Sequence, residues 1–467
     1  MKNLTLINIA KACDGELFCN NDEIANTEVS CIVTDNRKVE KGGMFVAIKG
    51  NRVDGHDFIE SAFDSGAICV MSEKKLDTDK PYILVESSLV AVKKIAEFYR
   101  ENLDIKVVGI TGSVGKTSTK EMIYSVLSVK YNTLKTEGNF NNELGLPLTV
   151  FRIRDEHEIA VLEMGISDFG EMSRLSKIAK PDVGLITNIG PCHLENLKDL
   201  KGVLKAKTEM LEYIKDGGSI ILNGNDNELK NTVKKEGLKY EYFYVDECSD
   251  SGKLVYADLV ESVGIKGIKC RLHYGDEEID VFIHIPGKHM LYNALAGLCV
   301  GKKFGLTNEE IKTGIENVRP VTGRNNIFET DDLTVIDDCY NANPVSMKAS
   351  IDVLDYAIGR KVAILGDMFE LGANENELHK EIGSYLAKSN TDVIVLCGNL
   401  MKNAYIELIE GKNKDLCKDK IIYYFDKISD FYTELDRILK EEDTVLVKAS
   451  HGMNFVKIID ILKEISL

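Results

Sequence analysis

The sequence lacks closely spaced cysteine pairs and long apolar runs. Its eleven cysteines are scattered over 467 residues with no C-x-x-C pair, which argues against a zinc site or a disulfide framework and favours reduced thiols. No uninterrupted apolar run approaches the length that spans a bilayer, so we expect no membrane insertion. The first apolar stretch is broken at Asn8, Lys11 and Asp14, too early for a signal peptide. Together these absences predict a cytoplasmic protein.

The sequence also has too few basic residues to favour a nucleic-acid partner. It has 58 lysines and arginines against 75 aspartates and glutamates, a formal net charge of −17. Such a surface repels a phosphate backbone instead of displacing its counterions, so we expect no nucleic acid. A local basic cleft for a phosphorylated small molecule remains compatible with this charge.

The length predicts several domains, because 467 residues is roughly two to three times the size of a common domain. Neither internal repeats nor low-complexity tracts interrupt the chain. The pattern of strands and helices predicts an α/β fold in three parts. These are a small α/β domain at residues 1–104, a central domain with a parallel sheet at 105–318, and a second, smaller Rossmann-like sheet at 319–467. Residues 240–285 alternate in β fashion and are expected to form an antiparallel addition to the central domain.

Short apolar runs mark the predicted strands. In the first part they are 44–48 and 68–71, with a helix at 89–99. The other predicted strands are 105–111, 159–163, 183–187, 220–222, 335–336, 362–365, 393–396 and 445–447, and a further helix is predicted at 291–300.

A phosphate-binding loop follows the predicted strand at 105–111. It consists of Thr111, Gly112, Ser113, Val114, Gly115, Lys116 and Thr117, and an amphipathic helix comes next. Glycines let backbone N–H groups turn toward phosphate oxygens at a positive helix N-terminus, where Lys116 neutralises charge and the Thr117 hydroxyl ligates Mg²⁺. Ile110 stands where the strict pattern has glycine, so this is the short G-x-x-G-K-T form. The strand and helix around it favour an ATP site over an ordinary glycine turn.

Further motifs are spread along the chain in a characteristic order. They are T-D-N-R at 34–37, T-E-G-N-F-N-N-E-L-G-L-P at 136–147, E-M-G at 163–165, T-N-I-G at 187–190 followed by His193, G-K-H at 287–289 followed by Asn293, G-R at 323–324, D-C-Y-N-A-N-P at 338–344, and G-D-M-F-E-L-G at 366–372. Over nearly the whole chain, these motifs and the short phosphate loop resemble those of the Mur ligases, a family of ATP-dependent amide ligases.

The resemblance implies an activity and an architecture. The last two motifs are most similar to those of the member that joins D-alanyl-D-alanine to a UDP-N-acetylmuramoyl-tripeptide during cytoplasmic peptidoglycan precursor synthesis. This family uses ATP and Mg²⁺ to form an acyl phosphate, which an amine then attacks. It implies an N-terminal domain for the UDP end of the substrate, a central ATP-binding domain, a C-terminal domain that closes over the site, and a monomer.

The resemblance also assigns roles to individual residues. Thr117 and Glu163 are expected to hold one magnesium, and His193 to help hold a second. Lys207 matches a lysine that several members carry as a carbamate, and the alternative on pattern alone is a solvated helix lysine. With Lys116, His193 and Lys207, Arg324 completes the expected catalytic set. Further ATP contacts are expected from Asn293, Asp338 and Tyr340.

Substrate contacts are expected at four places in the chain. The residues concerned are Asp35, Asn36 and Arg37 for the nucleotide-sugar end, and then Asn139, Asn141, Asn142, Asn341, Asn343, Glu370 and Leu371. Two positions depart from the family pattern: Asn36 stands in place of a serine, and His451 in place of an arginine. Both departures put the corresponding contacts in doubt.

Other activities stay open at this point. One is a related amide ligase, such as the member that adds the third residue or a folylpolyglutamate synthase, although the D-N-P-R or D-D-P-R motif of the former is missing. Another is a non-catalytic protein that binds UDP-muramoyl peptide. The tripeptide's third residue, meso-diaminopimelate or L-lysine, also stays open.

Overall fold

The computed structural model describes residues 1–232, 234–245 and 254–467, which contain three β-sheets with helices packed against them. The first sheet has five strands in the order β1-β5-β4-β3-β2, all parallel except β1. Its strands are β1 (Glu16–Phe18), β2 (Ile32–Val33), β3 (Met44–Val46), β4 (Cys69–Ser72) and β5 (Tyr82–Leu84). The helices of this part are α1 (Leu6–Ala12), α2 (Asp22–Ala25), α3 (Ile59–Asp64) and α4 (Ser88–Glu101).

The second sheet has nine strands in the order β14-β13-β12-β11-β10-β9-β6-β8-β7. They are β6 (Lys106–Thr111), β7 (Thr133–Lys135), β8 (Ile159–Glu163), β9 (Val183–Ile186), β10 (Ser219–Asn223), β11 (Lys239–Val245), β12 (Val255–Ser262), β13 (Ile268–Tyr274) and β14 (Glu277–Ile283). Its helices are α5 (Lys116–Leu127), α6 (Gly145–Val150), α7 (Glu171–Ala179), α8 (Leu194–Leu197), α9 (Leu200–Thr208), α10 (Asn227–Lys230), α11 (His289–Lys303) and α12 (Asn308–Glu316).

The third sheet has six strands in the order β15-β16-β20-β17-β18-β19, parallel except for the edge strand β15. They are β15 (Asn326–Glu329), β16 (Leu333–Asp337), β17 (Lys361–Gly366), β18 (Val393–Cys397), β19 (Ile421–Phe425) and β20 (Asp443–Lys448). The helices are α13 (Pro344–Asp355), α14 (Glu375–Lys388), α15 (Met401–Glu410), α16 (Ile428–Tyr432), α17 (Leu435–Ile438) and α18 (Val456–Glu464).

The topology of the second sheet determines where a ligand can bind. Strand β6 lies between β8 and β9, and all three are parallel. Every residue of β8 and β9 is buried, as expected for strands covered by helices on both faces. The carboxyl ends of these strands share one edge of the sheet. In open parallel sheets that edge is where ligands bind.

The mixed α/β class with three sheets was predicted correctly, and the strand pattern differs in detail. The second sheet is not purely parallel, because β12, β13 and β14 pair antiparallel at one end. That extension lies within the predicted antiparallel segment, of which residues 246–253 fall outside the described residues. The third sheet likewise gains the antiparallel edge strand β15. Short strands such as β1 and β2 escaped prediction because two or three residues carry little periodicity.

The described cysteines are all free thiols, and nine of the ten are buried. Among the described residues the cysteines thus mostly pack in the interior as thiols. Within the same residues, no helix combines the length and the apolar character that a membrane crossing requires.

Candidate active site

The phosphate loop is held by hydrogen bonds with residues that follow β9. Thr187 Oγ1 donates a hydrogen bond to the carbonyl oxygen of Val114 at 2.6 Å, and Asn188 Oδ1 accepts from the Val114 N–H at 3.0 Å. Gly112 has φ +150°, and a Cβ on it would lie 1.9 Å from Thr187 Oγ1. The loop therefore needs glycine at 112 both for its backbone angle and for its contact with Thr187.

The loop lysine lies at the start of α5, directly after Gly115 in the left-handed conformation at φ +82°. Lys116 Nζ donates to the carbonyl oxygens of Gly112 at 2.9 Å and Ser113 at 3.4 Å. Burial lowers the pKa of Lys116. The ammonium is thus held inside the loop, at the positive end of the helix, where it favours a phosphate.

Glu163 ends β8 next to the first turn of α5 and is 1% exposed. Its Oε1 accepts hydrogen bonds from Thr117 Oγ1 at 3.2 Å and from Asn141 Nδ2 at 2.8 Å. Its Oε2 is buried without a hydrogen-bond partner, and Lys120 Nζ lies 3.8 Å away. The structure therefore brings together Thr117, Asn141 and Glu163, three of the predicted site residues.

Lys207 and His193 lie beside the loop. Lys207 is 1% exposed on α9, and burial lowers its pKa to about 8, with the nearby Lys116 charge adding to this effect. His193 has φ +49°, and its Nδ1 lies 2.7 Å from Oε2 of Glu370 in the third part of the chain. Burial lowers the pKa of His193, and Lys116 and Lys207 act in the same direction while Glu370 opposes them. Two predicted residues 177 positions apart, His193 and Glu370, are thus in contact.

The third sheet faces the loop across a cleft. Asp338, just beyond β16, receives hydrogen bonds from Lys448 Nζ at 2.6 Å and from the Ser350 hydroxyl. The guanidinium of Arg324 lies 4.2 Å from the ring centre of Tyr340, and the His451 ring lies 5.6 Å from the same ring. His451 therefore lies beside the same tyrosine ring as Arg324, with the two rings tilted by 42°.

A cavity of about 450 Å³ occupies this cleft. One wall is the phosphate loop with Asn188 and Asn293, and the opposite wall carries Arg324 and Asp338. Asn341 and Asn343 also line it. The volume is that of a small-molecule site.

The asparagines of the cleft have clear local roles. Asn293, buried on α11, accepts from Thr119 Oγ1 at 2.7 Å through its Oδ1. Asn343 caps α13 by accepting the Ser346 N–H at 2.9 Å, and Asn341 Oδ1 accepts the Ala342 N–H at 2.9 Å. These bonds explain why an asparagine-rich loop forms between β16 and α13.

The remaining predicted residues lie elsewhere. Asp35, Asn36 and Arg37 belong to the first part, where the Arg37 guanidinium lowers the pKa of Asp35 to about 2 and Asn36 Nδ2 donates to Ser61 Oγ at 3.0 Å. Asn139 is exposed in the 136–144 loop.

Two other predicted residues carry structural contacts. Asn142 Oδ1 accepts the N–H groups of Leu144 and Gly145 at the start of α6. Leu371 is 2% exposed and packs in the core of the third sheet, so its side chain does not form an open surface.

Three residues of the site were missed from sequence. Lys120 follows Lys116 by one helical turn, and this spacing is the signal that indicates a shared face. Lys448 ends β20 and contacts Asp338, 110 positions away. Cys192 Sγ lies 3.2 Å from the Ser113 hydroxyl, and no sequence pattern predicts that contact.

Comparison with known families gives matches over most of the chain. Residues 28–111 match the model described as "Mur ligase family, catalytic domain". Residues 110–301 match "Mur ligase middle domain", and residues 323–451 match "Mur ligase, glutamate ligase domain".

Individual relatives match over nearly their full length. The UDP-N-acetylmuramoyl-tripeptide--D-alanyl-D-alanine ligase of Bacillus subtilis (strain 168) is 36% identical, covering 98% of this chain and 98% of that protein. A crystal structure of MurF from Acinetobacter baumannii has a TM-score of 0.86 at 30% identity, covering 99% of both chains. The MurF ligase of Thermotoga maritima in complex with ADP has a TM-score of 0.79 at 30% identity, covering 93% of this chain and 97% of that one.

Proposed function

Because this chain belongs to the Mur ligase family, we propose that it joins D-alanyl-D-alanine to the C-terminal carboxylate of a UDP-N-acetylmuramoyl-tripeptide at the expense of ATP. Relatives named UDP-N-acetylmuramoyl-tripeptide--D-alanyl-D-alanine ligase match 98% to 99% of this chain. The protein is accordingly an ATP-dependent ligase of peptidoglycan precursor synthesis. We also propose that it is cytoplasmic and monomeric, as the family resemblance implies.

The observation that carries this proposal is the cleft between the second and third sheets. It has the phosphate loop on one wall and Arg324 and Asp338 on the other. The similar MurF of Thermotoga maritima was solved with ADP, which supports nucleotide binding by this loop. We propose Asn293, Asp338 and Tyr340 as further ATP contacts. Arg324 supplies a permanent cation to the phosphates from the third part of the chain.

The residues next to the loop fit a magnesium ion. The oxygens of Thr117 and Glu163 lie 3.2 Å apart, a separation that two ligands of one cation can adopt, and Mg²⁺ prefers oxygen ligands. The buried Oε2 of Glu163 lacks a hydrogen-bond partner, and a nearby positive charge would stabilise this oxygen. No group of three or more His, Cys, Asp or Glu side chains suited to a metal occurs in the described residues. From the Thr117 and Glu163 oxygens we propose these two residues as ligands of one magnesium, which would neutralise phosphate charge when bound, and His193 as a ligand of a second.

The chemistry follows from the poor reactivity of a carboxylate. An oxygen of the tripeptide's terminal carboxylate attacks the γ-phosphorus of ATP, the bond to the β-phosphate oxygen breaks, and ADP leaves. The D-alanyl-D-alanine amine then attacks the acyl carbon, inorganic phosphate leaves, and the amine loses a proton. Both steps concentrate negative charge on phosphoryl oxygens, which Lys116 and Arg324 stabilise as fixed cations.

Lys207 is suited to carbamylation. A carbamate forms only from an unprotonated amine, and burial lowers the pKa of Lys207 to about 8. Near neutral pH the amine is therefore unprotonated far more often than an ordinary lysine. The carbamate would replace a positive charge beside Lys116 with a negative one, relieving their repulsion. We propose this form as the active one.

The substrate contacts are assigned by part of the chain. We propose a division into residues 1–104, 105–318 and 319–467, which the three separate sheets support. We propose that Asp35, Asn36 and Arg37 contact the UDP end of the substrate. Residues proposed to contact the peptide are Asn139, Asn141, Asn142, Asn341, Asn343, Glu370 and Leu371. Leu371 would act through its backbone, because its side chain is buried.

A product assay tests the activity. The protein is incubated with ATP, Mg²⁺, D-alanyl-D-alanine and the UDP-muramoyl tripeptide ending in meso-diaminopimelate or in L-lysine. We expect pentapeptide, ADP and phosphate in equal amounts with one of the two tripeptides. Amide formation only with free amino acids or a folate would instead indicate a related ligase. The absence of phosphate release with every substrate set would indicate a non-catalytic binding protein.

A further inference from the structure

A lysine lies buried beneath the proposed magnesium site. Lys120 on α5 is 1% exposed, although it carries one of the longest polar side chains. Its Nζ lies 3.2 Å from Oε1 of Glu121 and 3.8 Å from Oε2 of Glu163. The mechanism above uses Lys116 and Thr117 of the same helix and leaves Lys120 without a role.

The two oxygens of Glu163 have different surroundings. Oε1 accepts hydrogen bonds from Thr117 and Asn141, whereas Oε2 has no hydrogen-bond partner and faces the ammonium of Lys120 beyond hydrogen-bond distance. Thr117 and Lys120 are three residues apart, so they share one face of α5. One helix face therefore contacts both oxygens of the carboxylate.

Burial of Glu163 favours a cation beside it. A carboxylate removed from water loses its hydration, and a nearby positive charge in the protein interior offsets this loss. Hydrogen bonds from the neutral Thr117 and Asn141 supply only part of the compensation. Lys120 supplies positive charge beside Oε2 of Glu163 at this end of β8.

The ammonium belongs to a longer row of alternating charges. Glu121 contacts both Lys120 and Lys135, and Lys120 contacts Glu163. The four side chains Lys135, Glu121, Lys120 and Glu163 sum to zero formal charge. The Lys120 ammonium lies closer to Glu121, at 3.2 Å, than to Glu163. This helps to explain why Lys120 Nζ remains 3.8 Å from Oε2 of Glu163.

We propose that Lys120 is a positioning residue for the metal site: its ammonium holds the Glu163 carboxylate in one orientation, so that Glu163 and Thr117 present oxygens to a divalent cation. This inference rests on the proposed metal role of Glu163. Outer groups that hydrogen-bond to a metal ligand typically contribute about 10- to 100-fold to metal affinity, and we expect an effect of this size from the ionic contact of Lys120 with Glu163. Lys120 does not contact the nucleotide in this scheme.

The test measures Mn²⁺ binding by electron paramagnetic resonance, with the full-length protein saturated with ADP. Lys120→Met keeps most of the side-chain volume and removes the charge. We expect Mn²⁺ affinity to fall about 10- to 100-fold, while ADP affinity without metal changes by less than about threefold. Lys135→Met is the matched control, because Lys135 belongs to the same row of charges without contacting Glu163. Its Mn²⁺ affinity is expected to stay within about threefold of the original.

A double-mutant cycle separates positioning from general structural damage. If Lys120 acts through Glu163, the variant combining Lys120→Met with Glu163→Gln binds Mn²⁺ no more weakly than Glu163→Gln alone. Additive losses would overturn the inference. So would unchanged Mn²⁺ affinity in Lys120→Met when Glu163→Gln is impaired. Unchanged affinity in Glu163→Gln would instead overturn the proposed metal site itself.

A second variant keeps the inference testable if Lys120→Met fails to fold. Lys120→Arg retains the positive charge, and we expect its Mn²⁺ affinity to stay within about threefold of the original. Lys120→Gln keeps a polar group without charge, and we expect it to lose affinity as the methionine variant does. Equal affinities for the arginine and glutamine variants would overturn the inference.

Discussion

At the scale of single residues, the site depends on buried charged groups whose pKa values are changed by burial and by neighbouring charges. Lys207 shows this most directly, because its amine is buried and close to the positive charge of Lys116. An ordinary lysine is almost entirely protonated at neutral pH, and only its small unprotonated fraction can react with CO₂. Burial of Lys207 thus prepares the residue for the modification that we propose.

The carbamate proposal predicts a specific dependence on pH. The pKa of Lys207 is lowered to about 8, so below that pH the unprotonated fraction rises about tenfold per unit, and above it the fraction levels off. After removal of CO₂, we expect the rate of reactivation at a fixed dissolved CO₂ concentration to follow this curve. The measurement is ligase activity against time after CO₂ is returned, from pH 6 to pH 9.

The corresponding variant gives an independent check. We expect Lys207→Ala to lose about 100-fold or more in kcat, since it removes a charge beside the reacting phosphate. Short carboxylic acids should restore part of the activity by occupying the vacated space. A flat reactivation rate across the pH range, or a fully active Lys207→Ala variant, would contradict the proposal.

At the scale of elements, the turn from β6 to α5 depends on a close backbone contact. A Cβ at Gly112 would lie 1.9 Å from Thr187 Oγ1 and 3.1 Å from the Thr187 backbone nitrogen, at φ +150°. We expect Gly112→Ala to lower the free energy of unfolding by about 2 kcal/mol or more, and to weaken ADP binding because the loop must shift. Urea unfolding and calorimetric ADP titration measure the two effects.

A matched glycine separates backbone strain from the clash. Gly217 also has a positive φ, +73°, and a Cβ there would have no atom within 4 Å. Gly217→Ala should therefore lose only about 1 kcal/mol and bind ADP normally. Equal losses at the two positions would show that the contact with Thr187 has no effect of its own.

At the scale of the whole molecule, residues of the second and third parts form the cleft together. His193 and Glu370 are in direct contact across this junction, and both have left-handed backbone conformations. Asn325 Nδ2 also donates to the carbonyl oxygen of Pro286 at 2.8 Å near the connection between the two parts. Polar contacts between the two parts thus help to hold the walls of the cleft together, which suits a site that must admit substrates.

We expect Glu370→Ala to loosen this junction slightly. A partly exposed pair of this kind contributes about 1 kcal/mol or less, so the closed population changes by no more than about fivefold. Hydrogen–deuterium exchange should increase in residues 192–198 of the nucleotide-free protein. Glu377→Ala is the control, because Glu377 is exposed on α14 and pairs only weakly with Lys380 at 3.9 Å. Identical exchange in both variants would contradict a role for Glu370 in closure.

Much of the fold could be predicted because its signals are local. Strand β8 was predicted with its observed bounds, because its first four residues are apolar and the charged Glu163 marks its end. The phosphate loop is contiguous in sequence, so its residues, the strand before it and the helix after it could all be read together. Backbone preferences and apolar periodicity act within a few residues, and a sequence displays them directly.

The contacts between distant residues were decided only by the tertiary structure. The order β8-β6-β9 puts Glu163 beside Thr117, the packing of the second and third parts puts Glu370 against His193, and the parallel pairing of β16 and β20 puts Lys448 against Asp338. Burial, which changes the pKa of Lys207 and hides Leu371, likewise arises from elements far apart in the chain. The sequence by itself determined the local elements and the residues able to do the chemistry. Which of them meet depends on strand order and packing, because spacing along a chain does not specify distance in the folded protein.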